Sequence, residues 1–182
     1  LERMLEFIAS LMDVTGAVPM IGDADGALMV HWSKEHNWSV YRSQLATCAV
    51  LFNRPDFKVK AKYFDDKSCW LLGEDAKRRF DLMASDENQL TLPREFRDGG
   101  YFILGSRLNT ADEIRIVADA GPLGYLSIAA HGHADALSFT LSVAGHALLV
   151  DPGTYAFHSQ KKWRDYFRGT SAHNTVRVDG VD

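Results

Sequence analysis

The feature that most limits what this chain can become is a change of hydrophobic period between Ala84 and Asp98. Before it, apolar residues recur every three or four positions. Leu1, Met4, Leu5, Ile8, Leu11 and Met12 share one face of a helix over residues 1 to about 13. Thr15-Gly16 ends that helix, and residues 18–26 (VPMIGDADG) read as a loop. Asp23 and Asp25 are placed as in the opening of a calcium loop, but the other acidic ligands and the closing Glu are absent. A helix-connecting turn is therefore expected there. Trp38, Tyr41, Leu45, Cys48 and Phe52 mark a second helix that stops near Asn53-Arg54-Pro55. A third is expected from about Lys67 to Met83, with Trp70, Leu71, Phe80 and Met83 inward and Lys77-Arg78-Arg79 solvated. Residues 85–97 are polar, carry Pro93, and read as a link between domains.

From Asp98 the period is two. The runs 101–104, 113–117, 125–129, 137–143 and 146–150 read as short strands separated by glycine or Asn-Thr turns. Ala144-Gly145 looks like a hairpin turn, and Val176 and Val178 begin what reads as another hairpin. Short strands without intervening helices argue for an antiparallel sheet or sandwich. The fold expected is α+β: helices in 1–84, a link, and a β-domain in 98–182.

Composition narrows the function. A net charge of -4 argues against a nucleic-acid footprint, and an anionic ligand would have to be met by local residues. No apolar run approaches the ~20 residues of a membrane span. Cys48 and Cys69 match no ligand spacing and read as buried free thiols. The chain opens inside an amphipathic pattern and stops inside a hairpin pattern, so it is expected to be a piece of a longer protein.

Five of the seven histidines fall between Gly124 and Thr175. On an extended chain, residues two apart share a face, so His131 and His133 would lie on one side of a sheet. Asp151 sits at the mouth of the Asp-Pro-Gly turn, and His173 follows Ser171-Ala172. Two imidazoles and a carboxylate make a reasonable zinc set, here His133, Asp151 and His173, with water or another residue completing the shell. A further imidazole nearby would be available for acid/base work, and the residues alone do not separate His131 from a fourth ligand. Asp135 could orient one of these rings or stand in solvent. Arg168 offers a planar fork to a carboxylate or sulfate, and Tyr155 or Tyr166 could stack on a sugar ring. Arg164, Lys161 and Lys162 read as a solvated loop. His31, His36, His146 and His158 belong to no constellation.

The blocks HGHAD (131–135), LLVDPGTY (148–155) and YFRGTSAHNTV (166–176), in that order, resemble the heparinase II/III-like polysaccharide lyases where their C-terminal β-sandwich begins. PMIGDADG and CWLLGEDA are similar to the family's last toroid helices. The resemblance implies the C-terminal helices of an incomplete (α/α) toroid followed by a truncated antiparallel β-sandwich. It implies that His133, Asp151 and His173 hold a structural zinc that braces the sandwich, and that His131 is catalytic. The implied reaction is β-elimination beside a uronic acid, with the catalytic Asn and Tyr expected upstream of Leu1. The implied partner is a uronate-containing polysaccharide, the implied location periplasmic or secreted, and a homodimer is allowed. The rival classes are a non-catalytic carbohydrate-binding sandwich and a zinc-dependent glycan hydrolase.

Overall fold

The computed structural model describes residues 1–24, 28–29, 31–34, 36–86, 90–125 and 128–182. The chain divides into two compact units, Leu1–Val18 with Ala27–Pro93, and Pro19–Gly26 with Arg94–Asp182. The loop that was expected to connect helices thus belongs to the sheet-bearing unit.

Five helices build the first unit: α1 (Glu2–Leu11), α2 (Val40–Phe52), α3 (Pro55–Ala61), α4 (Asp66–Leu72) and α5 (Glu74–Leu82). Ser39 caps α2 by accepting the Arg42 N–H at 3.3 Å, and Asp65 caps α4 by accepting the Ser68 N–H at 3.0 Å. Pro55 was expected to end a helix. It lies beyond the left-handed Asn53 that closes α2 and opens α3, where its missing N–H and fixed φ are suited to the first turn. The single helix expected from Lys67 to Met83 is two, because Gly73 at φ 80° breaks it. That break resets the helical phase, so Trp70 and Leu71 face solvent while Phe80 is buried. Trp38 precedes α2 and donates from Nε1 to Asp65 Oδ2 at 2.6 Å. Leu5, Ala9, Met12, Leu45, Ala49, Phe57 and Phe80 are among the residues of one apolar core. Both cysteines are free, but only Cys48 is buried.

The second unit carries one antiparallel sheet in sequential order: β1 (Glu95–Phe96), β2 (Tyr101–Ser106), β3 (Ile114–Asp119), β4 (Phe139–Val143) and β5 (His146–Leu149). Ala144 and Gly145, at φ 51° and 76°, form the two-residue turn between β4 and β5. No strand includes Tyr125, Ile128 or Ala129. Leu126 and Ser127 lie outside the described residues, and their flanks make only the bridge Tyr125–Ala130, with Ala129 left-handed at φ 48°. Residues 136–137 form a turn, with Leu137 at φ 60°, so β4 starts later than expected. The expected closing hairpin is a turn at Asp179-Gly180 with Val176 and Val178 exposed. Lys161, Lys162 and Arg164, read as a solvated loop, lie on α6 (Lys161–Arg168).

Candidate functional site

β5 leads directly into Asp151, whose Oδ1 accepts the Gly153 N–H at 2.9 Å and closes the Asp-Pro-Gly turn. A short 3₁₀ turn, Thr170–Ala172, delivers His173. The next residue, Asn174, donates from Nδ2 to the carbonyls of Phe139 and Val150 at 3.0 and 2.9 Å. These bonds tie the start of β4 and the end of β5 to the His173 strap. His133 enters from the loop before β4, where the Ala134 N–H donates to the Arg168 carbonyl at 2.8 Å.

The result brings His133, Asp151 and His173 together, with one ligand atom of each lying within 4.8 Å of the others. Both imidazole side chains have 0% exposure and the Asp151 side chain 3%. His173 Nδ1 meets Asp151 Oδ2 at 3.1 Å. His133 Nδ1 and His173 Nε2 are buried without a hydrogen-bond partner. Leaving such a nitrogen desolvated and unpaired costs about 1–3 kcal/mol. Two orphaned nitrogens beside a buried carboxylate are the donor set of a cation site, so these residues fit a bound metal ion. Burial alone would lower the His173 imidazole's affinity for a proton, but the Asp151 hydrogen bond and charge, with Asp135, raise it above the usual range. Asp135 is buried rather than solvated, and burial first, then the charges of Asp119 and Asp151, push its carboxyl upward. Burial also raises the Tyr101 hydroxyl, helped by Asp119, Asp135 and Asp151, so it stays protonated.

Sequence reasoning missed Asp23. Its carboxylate, 3% exposed, accepts from His133 Nε2 at 3.0 Å. Arg164 on α6 grips the same group with both terminal nitrogens, one on each oxygen. That grip holds the Asp23 carboxyl far below the ordinary carboxylate range; burial opposes it and His133 adds to it. Arg164 is therefore not a solvated loop cation. Only a local signal was available: an acidic residue directly after the apolar Pro19–Gly22 stretch.

His131 and His133 do not share a face. His131 is left-handed at φ 60°, which turns its imidazole outward to 71% exposure while His133 is enclosed. The His131 carbonyl accepts the Asp23 N–H at 3.0 Å, and its Nδ1 lies 3.6 Å from Asp23 Oδ2. It is an open imidazole at the rim of a closed cluster. Arg168 is exposed and reaches the Gly132 carbonyl at 3.4 Å, which brings it beside His131. Tyr155, 61% exposed, packs against Phe167 at 4.8 Å between ring centroids and against Trp163 at 6.1 Å. His31 stacks on Trp38, and His36, His146 and His158 are exposed outside the cluster.

The family described as "Heparinase II/III-like, C-terminal" matches residues 88–182. A solved heparinase III with methylated lysines superposes over 100% of the chain at 21% identity and TM-score 0.68, with 24% of that structure covered. A heparan sulfate lyase from Pedobacter heparinus covers 99% at 20% identity and TM-score 0.68, again with 24% of its own length. Another heparinase III structure covers 98% at 17% identity and TM-score 0.59. The chain thus spans about a quarter of the solved structures it matches. No curated protein sequence gives a significant match.

Proposed function

The chain belongs to the heparinase II/III-like family, and from that premise we propose that it serves a polysaccharide lyase that cleaves a uronate-containing glycan by β-elimination. The observation that carries this reading is the exposed His131 at the edge of the buried His133–Asp151–His173 cluster. The C5 proton of a uronic acid is too weakly acidic to leave unaided. A base must take it, the neighbouring carboxylate must be neutralised, and an acid must protonate the leaving oxygen. An open imidazole suits the proton transfer. Arg168, held beside Gly132, suits the carboxylate or a sulfate, and Tyr155 offers an exposed ring to a sugar face.

The buried cluster has a different duty. Two neutral imidazole nitrogens and one carboxylate oxygen suit zinc. Bound there, zinc would supply a fixed positive centre that braces the strap after α6 against β5. His131 is left free for chemistry. In this reading α1–α5 are the C-terminal helices of an (α/α) toroid, within residues 1–84, followed by a link at 85–97. The sheet in 98–182 begins a β-sandwich, joined by Pro19–Gly26. No helix among the described residues is long and apolar enough to cross a membrane. A polymeric substrate suits a secreted or periplasmic protein.

The test uses the full-length protein against heparan sulfate, alginate and hyaluronan, following the ultraviolet absorbance of the unsaturated uronate product. A rise with one glycan that disappears in His131→Ala supports the lyase and names its substrate. Glycan binding with no rise on any substrate supports the non-catalytic alternative, which the exposed rings of Tyr155, Trp163 and Tyr166 favour. Cleavage without unsaturated product, abolished by a chelator, would mark the hydrolase.

A further inference from the structure

Asp23 stands 110 positions from His133, yet its carboxylate, at 3% exposure, is as enclosed as that of Asp151. A neutral imidazole carries one proton and one free lone pair, and which nitrogen holds which is set by the partner of the protonated one. His133 Nε2 faces Asp23, while Nδ1 is buried without a partner. An ionised carboxylate only accepts, so Asp23 requires the proton on Nε2 and leaves Nδ1 as the free lone pair, on a ring whose centroid lies 5.3 Å from that of His173. Arg164 occupies both Asp23 oxygens with its fork, which fixes the plane of the carboxylate. His173 differs, because its Nδ1 meets Asp151 itself, and its other hydrogen-bonding contact is the backbone at Phe167 rather than a second carboxylate.

Loop docking does not account for this carboxylate. The segment around Asp23 is already anchored by Ala24, whose N–H donates to Thr154 Oγ1 at 2.6 Å and whose carbonyl accepts from the same hydroxyl at 2.6 Å. The Asp23 backbone N–H adds its bond to the His131 carbonyl. None of these contacts needs the Asp23 side chain.

We propose that Asp23, locked by Arg164, is the positioning residue of the cluster: it holds His133 with Nε2 protonated and Nδ1 free to accept a cation. This rests on the reading of His133, Asp151 and His173 as a metal set. The experiment uses the full-length protein, with zinc as the probe and a chromophoric chelator as competitor. Asp23→Asn should weaken zinc binding by about 10- to 100-fold. The double variant Asp23→Asn/Arg164→Gln, which leaves no unpaired charge, should weaken it similarly. Long-range proton–nitrogen correlations of the zinc-free protein give a readout that a merely structural role would not move. They should show His133 protonated at Nε2 in the native protein and mixed between nitrogens in Asp23→Asn. Zinc affinity within about twofold of native in both variants, or a native His133 protonated at Nδ1, overturns the proposal. If the native protein binds no zinc, the metal reading fails alone. The tautomer still decides the role of Asp23, and needs no variant that folds.

Discussion

In the helical unit the apolar residues Leu45, Ala46, Ala49, Phe57 and Ala61 have 0% exposure, joined by the hydroxyl residue Ser68. In the sheet unit Glu113 has 0%, His133 3%, Arg115 4%, Asp135 6% and His173 7%, and among the described residues its buried apolar ones are Ile103, Val117 and Ala156. Apolar burial is non-directional, so the helical unit can be stable without fixing any one geometry. A polar interior works the other way. Each buried group needs its partner at the right distance and angle, so a satisfied network specifies positions and a broken one is costly. The unit that carries the candidate site is the one built by the directional method.

Four substitutions sharpen this contrast, in decreasing order of effect. Phe57→Ala opens a cavity in the helical core and should cost about 3–5 kcal/mol in denaturant unfolding, with the sheet unit's ladder unaffected. Arg115→Met removes the cation paired with the buried Glu113 at 3.0 Å, and should cost about 3 kcal/mol. Changing both, Glu113→Leu with Arg115→Met, should cost less than the single change, which a double-mutant cycle measures. A double variant as damaging as the sum of its parts would deny that the pair is the unit of stability. Asp65→Ala removes the cap of α4 and the acceptor of Trp38, and should cost about 1–2 kcal/mol. Asn174→Ala removes two bonds to the β4 and β5 carbonyls and should cost about 1 kcal/mol, read as a lower melting temperature.

Asp65 also sets a pH dependence. Burial would raise its carboxyl, but hydrogen bonds including those from Ser68 and Trp38 prevail and lower it below the ordinary 3.8. A group depressed in the folded state contributes stability that is full above the unfolded value and lost as pH falls through the folded one. Acid titration below about pH 4 should therefore weaken the native protein more steeply than Asp65→Asn.

Much of the site was legible in the sequence because its signals are local. Asp151 sits in an Asp-Pro-Gly turn, His133 and His173 flank it within one stretch, and the Ala144-Gly145 turn brings β4 and β5 into register. The strap, the turn and the loop then converge with little freedom. Asp23 was not legible, because a pairing across 110 positions leaves no trace in periodicity. The face shared by His131 and His133 was misread for a related reason. Alternation implies extended backbone, and the left-handed residues Ala129 and His131 deny it. In the helical unit the second helix does stop near Asn53-Arg54-Pro55, while the short helix that Pro55 opens left no periodic signal and Gly73 divides the third.

The central claim is that a bound metal ion completes the polar interior of the sheet unit while the helical unit needs none. Native-state hydrogen exchange of the metal-loaded protein, with and without chelator, tests it most directly. The account predicts faster exchange at Ala134, Phe139, Gly153 and His173, whose amides bond within the site, and no change across α2 and α3. Equal loss of protection in both units, or none in either, would contradict it.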